Sequence, residues 1–302
     1  MTPSTRRKTT VASGLVLAMA ALVLGVLTAC KGPGLDVIGA LQKKIELISR
    51  MRVDMLKSVE AEKSAVMADT DEASRTFAGI SREKAKEVEG ELGELAPLIE
   101  KDHTEEELAR FREFGDCWRE WKKVDEVILD FAVQNTNIKA ANLSFTKGME
   151  AAGLFEKDLR AVIGQSSPSE QCGEIAALAS GALAAGLEIQ ALLAPHIITE
   201  DDREMDRIEG QIEKYRAEVT DALKGLAGIV PESAKGFLAQ AGSAFEEHSS
   251  ITLKVIRLSR QNSNVKSFRL SLGRKRVIAA KCDDILASLH EAVSSRAFKA
   301  TR

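Results

Sequence analysis

Gln134-Asn135-Thr136-Asn137-Ile138-Lys139 and Gln261-Asn262-Ser263-Asn264-Val265-Lys266 are two versions of one motif, 127 residues apart. Downstream, Leu143-Ser144 answers Leu270-Ser271, and Ala151-Ala152 lies near Ala279-Ala280. Upstream, Trp118, Trp121 and Val124 fall opposite Phe245, His248 and Ile251 at the same offset. A period this long is a repeated domain rather than a solenoid unit. Asn135, Asn137, Asn262 and Asn264 read as a turn between helices, because Asn caps helices and tolerates the left-handed conformation. A polar tip offered to a partner is the functional reading of these four residues. A single rod running straight through the motif is the structural alternative.

Apolar residues at three-and-four spacing surround the motif. A first helix runs from about Leu35 to Ala68 on the seam Leu41, Ile45, Ile48, Met55, Val59 and Val66. A second carries Phe77, Ile80, Val88, Leu92 and Leu95 and is stopped by Pro97. Thr104-Glu105-Glu106-Glu107 is a capping box opening a third, with Phe111, Phe114, Trp118, Trp121 and Ile128. A fourth carries Ile138, Ala141, Phe145, Phe155, Leu159 and Val162, and the second copy repeats the plan. Short turns make neighbours antiparallel. The expected fold is therefore all-α: two tandem antiparallel, up-down-up-down four-helix bundles with long helices, at 35–165 and 169–300. Gly164 to Ser169 has linker composition and marks the boundary.

Composition agrees. The 302 residues are 29% charged and 4% aromatic with 6 prolines, which suits long helices and excludes strand-rich folds. A formal net charge of −3 excludes a strongly basic nucleic-acid binder.

The first thirty residues are an address. Arg6, Arg7 and Lys8 precede an uncharged apolar run from Val11 to Ala29, the pattern of a secretory signal. Leu27-Thr28-Ala29-Cys30 resembles the lipobox of bacterial lipoproteins. That resemblance implies cleavage after residue 29, lipidation of Cys30, and a short tether over 30–34. Acyl chains on Cys30 would hold the protein in the membrane, facing the periplasm, with Lys31 favouring the outer membrane. After residue 30 no further run reads as a membrane span. An exported chain can oxidise one pair among Cys117, Cys172 and Cys282. Without a CxxC or a Cys/His cluster, these cysteines read mostly as packing residues.

Candidate site residues are few. Arg52 lies on the seam of the first helix, where a charge needs a partner. With Lys57 it could grip a small organic anion, or it pairs with a carboxylate on a neighbouring helix. Trp118 and Trp121 could line an apolar cavity, although their seam spacing also suits core. No histidine or carboxylate pattern suggests a metal, and no cofactor or catalytic motif is present. The chain does not read as an enzyme.

The run from Met51 to Asp69, Trp118-Arg119-Glu120-Trp121, and the stretches Asn135–Ser144 and Asn262–Ser271 resemble the four-helix-bundle sensor domain of methyl-accepting chemotaxis receptors. The resemblance implies an extracytoplasmic ligand-binding module, here in tandem. Such receptors continue into a second membrane span and a signalling coiled coil, and this sequence shows neither. The expectation is a lipid-anchored sensor-like protein binding a small ligand or a receptor partner, as a homodimer or an intramolecular pseudo-dimer. The alternative is a structural, scaffolding lipoprotein of the cell envelope.

Overall fold

The computed structural model describes residues 33–300 apart from His103 and Pro168. The stretch expected to be a signal peptide, and Cys30, lie outside the described residues. Every regular element described is helical. Helix α1 is Pro33–Met67, α2 is Asp71–Asp102 and α3 is Glu105–Ala132. Helix α4 comprises Thr136–Leu143, a π-helical turn at Ser144–Gly148, and Met149–Ser166. Then follow α5 (Cys172–Ile198), α6 (Asp202–Ile229) and α7 (Glu232–Gln261). Helix α8 repeats the plan of α4: Ser263–Leu270, a π turn at Ser271–Lys275, and Arg276–Ala300.

The chain forms two compact units, and the boundary is not the expected one. Among the described residues, the first comprises 33–56, 84–119 and 280–300; the second comprises 57–83 and 120–279. Gly164 to Ser169 does not separate domains: it joins α4 to α5 inside the second unit.

In the first unit the fourth helix is α8, not α4. Arg50 of α1 pairs with Glu91 of α2 at 2.9 Å, and Arg52 of α1 with Asp283 of α8. Cys117 of α3 is disulfide-bonded to Cys282 of α8, closing 165 residues of chain. Lys44, fully buried, bridges Asp102 of α2 (2.7 Å) and Glu107 of α3 (2.8 Å), and Arg296 of α8 joins the same two carboxylates. Glu107 therefore serves this ion network, where the capping box would have turned its side chain back. Pro97 does not stop α2 either. Leu95 and Ile99 on either side of it are fully buried, and that burial outweighs the one backbone hydrogen bond a helical proline forfeits.

The second unit holds two quartets. In one, the end of α1, the start of α2, the end of α3 and the start of α8 pack together. Ser58 Oγ donates to the Ser81 carbonyl (2.9 Å) and Ser81 Oγ to the Ser58 carbonyl (3.0 Å), drawing α1 against α2. Ser74 Oγ reaches the carbonyls of Ala65 and Ala132. These serines take the inner face of α2, and the expected seam residues Phe77 and Ile80 are turned to solvent. The other quartet is α4–α7. Its core includes Phe155, Leu159, Ile189, Leu193, Ile208, Val219, Phe245 and Val255.

Asp125–Lys275, Thr136–Ser263, Phe155–Phe245 and Gln165–Ser233 all fall in one antiparallel register. The chain consequently does not reverse at the Asn motif. Helix α4 leaves α3 to complete the quartet of α5–α7, and α8 leaves α7 to complete that of α1–α3. The repeats have exchanged their last helices.

Helix α5 corrects a further expectation. Cys172–Ile198 is long and apolar enough to cross a membrane. Here its inner face, including Ile175, Ala179, Ala182, Ile189 and Leu193, is buried in the α4–α7 core.

Candidate functional site: two buried polar centres and an open cleft

The Asn motifs meet each other. Asn135 and Asn262 are the two non-glycine residues with positive φ among those described, at 51° and 53°. Asn262 breaks the helix for one residue and Asn135 ends a three-residue break, so that α4 and α8 begin with free N–H groups. The two helices then cap one another. Thr136 N–H donates to Ser263 Oγ (3.0 Å) and Ser263 N–H to Thr136 Oγ1 (3.1 Å). Asn137 N–H donates to Asn264 Oδ1 (3.1 Å) and Asn264 N–H to Asn137 Oδ1 (3.2 Å). Asn137 Nδ2 also reaches Asn262 Oδ1, and Asn264 Nδ2 reaches Asn135 Oδ1. Asn135, Asn137 and Asn262 are buried. The motif is thus an internal junction, and burial removes it from the role of a polar tip.

Beyond the junction the π turns place two related polar centres. In each turn the first and last residues, Ser144 and Gly148 or Ser271 and Lys275, face inward while the three between face out. In the α1/α2/α3/α8 quartet, Lys275 Nζ bonds Asp125 Oδ1 at 2.5 Å and lies 3.0 Å from the centre of the Trp121 ring. Glu62, fully buried, faces Ser271 and the charges of Lys275 and Asp125. Burial pushes the Glu62 and Asp125 carboxyls up and the Lys275 ammonium down, each against the pull of the opposite charge.

The α4–α7 quartet fills the same places with neutral groups. Gln190 Nε2 donates to Ser144 Oγ (3.0 Å), and His248 Nε2 donates to Gln190 Oε1 (3.1 Å). Gly148 stands where Lys275 stands, and a Cβ there would come within 3.2 Å of Gln190 Oε1. Burial lowers the His248 imidazole to about 4, so it is neutral at pH 7.

The predicted ligand residues are not assembled into a site. Arg52 and Lys57 belong to different units. Arg52 gives both arms of its guanidinium to Asp283, at 2.8 and 3.0 Å. Trp118 stacks on Phe114, and Trp121 lies beneath Lys275. Both tryptophans are core.

Open space lies elsewhere. Between α6 and α7 is a cleft of about 610 Å³, walled by Leu223, Phe245 and Leu253 with Arg216, Lys224 and Ser249 among its polar lining. Small residues on the facing surfaces, Ala227 and Gly242, keep it open. In the other repeat, Glu126 occupies the place of Leu253, and Arg82 of α2 clamps it at 2.8 Å and Asp130 at 3.0 Å. The second repeat ties its helices as well, through Arg260 of α7 and Glu209 of α6 at 2.6 Å, and Glu209 is the counterpart of Arg82; the cleft opens beyond that pair. Neither cleft nor clamp was foreseen, because both depend on which small or charged residues face each other across two helices. Among the described residues no cluster of His, Cys, Asp and Glu is suited to a metal ion. Neither a protein-family model nor a curated protein matches this chain.

Proposed function

We propose that this chain is a lipid-anchored, extracytoplasmic sensor-like protein of the chemoreceptor-bundle type, binding a small ligand or a receptor partner. The observation that carries the reading is the α6–α7 cleft. A scaffold has use for seams packed along their whole length. A volume of several hundred Å³ with an apolar bed and a few polar groups is the usual form of a ligand site. The basic head, apolar run and lipobox ending at Cys30 support export and anchoring. The Cys117–Cys282 disulfide suits an oxidising compartment. Helix α7 runs through Asn262 into α8, so a ligand drawing α6 and α7 together would act on the reciprocal caps and, beyond them, on Lys275.

The test is a thermal-shift screen of the full chain in detergent against amino acids, organic acids, purines and aromatic acids. A ligand at 100 times its dissociation constant adds about 2.7 kcal/mol and raises the midpoint by several degrees. No shift across the panel, with no receptor partner captured by cross-linking, would overturn the reading. The anchor is tested separately, by labelled palmitate entering the wild type and not Cys30→Ala. The second reading, an envelope scaffold, is favoured by the ion network around Lys44 and the disulfide, which brace the first unit.

A further inference from the structure

The cleft between α6 and α7 has a chemistry that narrows its occupant, and this inference rests on the ligand-binding reading above. Leu223 of α6 with Phe245 and Leu253 of α7 makes an apolar bed. Arg216 donates to the exposed Glu213 through Nη1 (2.6 Å), and its Nε has no acceptor. The Ser249 hydroxyl, in the same lining, is buried and also lacks a partner. Buried donors without acceptors are uncommon in folded proteins and invite an acceptor from outside. Lys224 adds a second positive charge at the edge, paired with the exposed Asp221 at 3.5 Å.

Charge sets the upper limit on the ligand. Glu213 is paired with Arg216 and Asp221 with Lys224, and Glu246 lies in the lining itself. A dianion or trianion would face the Glu246 carboxylate with two cations already partly neutralised by their own partners. A single carboxylate can use the spare donors of Arg216 and Ser249 and keep its body on the apolar bed. Arginine suits such a group because its planar fork matches a carboxylate.

We propose that the α6–α7 cleft is a binding site for a small amphipathic monocarboxylate, an aryl- or branched alkyl-substituted acid. Its carboxylate is received by Arg216 and Ser249, and its apolar body lies on Leu223, Phe245 and Leu253.

Gly242 offers a test that does not endanger the fold. An added Cβ there meets nothing within 4 Å, and the residue lies inside a helix, where glycine is unfavourable. Gly242→Leu should therefore fold at least as well as wild type while filling the cleft. The probes are 3-phenylpropionate, its uncharged amide, and succinate, titrated calorimetrically into the full chain in detergent. The expected result is saturable binding of 3-phenylpropionate, at least tenfold weaker for the amide and for succinate. Binding should be lost in Gly242→Leu and weakened about tenfold in Arg216→Gln, with both variants keeping the wild-type helical spectrum. Absence of 3-phenylpropionate binding, equal binding of the amide, or binding that survives Gly242→Leu overturns the proposal. If succinate or another acid shifts the melting point equally in wild type and Gly242→Leu, the cleft is wrong and the sensor reading stands. If nothing in the wider panel shifts it, both fall.

Discussion

Beside one π turn meet Lys275, Asp125, Glu62 and Trp121; beside the other, 127 residues earlier, meet Gly148, Gln190 and His248. The helices, turn and serine are shared, and the chemistry is opposite. One quartet buries an ion pair and a third charge under an indole. The other buries a chain of neutral hydrogen bonds. The difference teaches that the backbone plan, exchanged helices and π turns included, tolerates either solution. The polar centre is a place the fold makes available rather than one it requires. The same contrast recurs at Cys117 and Cys282, whose counterparts at that offset are Ala244 and Phe155. Where one repeat has a covalent link, the other rests Phe155 against Phe245 with ring centres 5.3 Å apart.

The largest expected effect comes from breaking the ionic centre on one side only. Lys275→Met leaves Asp125 buried without its partner and should cost about 3–5 kcal/mol in urea unfolding. Adding Asp125→Leu should recover most of that loss. A single substitution costing under 1 kcal/mol would mean that the centre is wet and the contrast between quartets is overstated. Next is the covalent link: Cys117→Ser with Cys282→Ser should lower stability by about 2–5 kcal/mol, given the long segment closed. Reducing agent should do the same to wild type and nothing to the double variant.

Acid should act on the neutral centre. His248 is held at about 4 inside the protein, while the unfolded chain takes up a proton below about 6.5. Between those values the unfolded state binds more protons, so stability falls as pH falls, by up to about 3 kcal/mol for this one residue. His248→Gln should flatten that part of the stability–pH curve; an unchanged slope would show that His248 reaches solvent in the folded state. The carboxyls of the ionic centre work in the other sense. A carboxyl raised by burial, as in Glu62, opposes folding at high pH and ceases to do so as it gains a proton. Glu62→Gln removes the buried charge and should stabilise the protein by about 1 kcal/mol at pH 7, vanishing at low pH. Destabilisation instead would mean that the Glu62 charge is held by Lys275.

The helices, their inner faces on α1, α3 and α6, and the existence of a repeat were legible because each is written as spacing along one segment. Met205, Ile208, Ile212, Val219 and Leu226, for instance, lie buried in the order their spacing predicts. The exchange of α4 and α8 was not legible. Leu143-Ser144 and Leu270-Ser271 show the same face, so periodicity cannot say which quartet each completes. The serines of α2 were passed over for Phe77 and Ile80 because a hydrophobicity pattern gives no weight to a hydroxyl that bonds a neighbouring carbonyl. The disulfide was open among three cysteines for the same reason as the exchange: Cys117 and Cys282 meet only once α8 returns. Phe145 was placed in the core, and the π turn puts it outside.

The reciprocal caps at Thr136 and Ser263 also set an order of events. Helices α4–α7 are contiguous in the chain, so their quartet can assemble as soon as they have been synthesised. Helices α1–α3 have no fourth member until all of α4–α7 has been made, and late, long-range closure of this kind is slow. A cell producing this protein must therefore shelter a three-helix stump with an open seam and an unpaired Cys117 thiol. Oxidation before α8 arrives would offer that thiol Cys172, Cys30 or a foreign partner, and not Cys282. The later half of the chain matures first, and the earlier half waits for the last helix to come back to it.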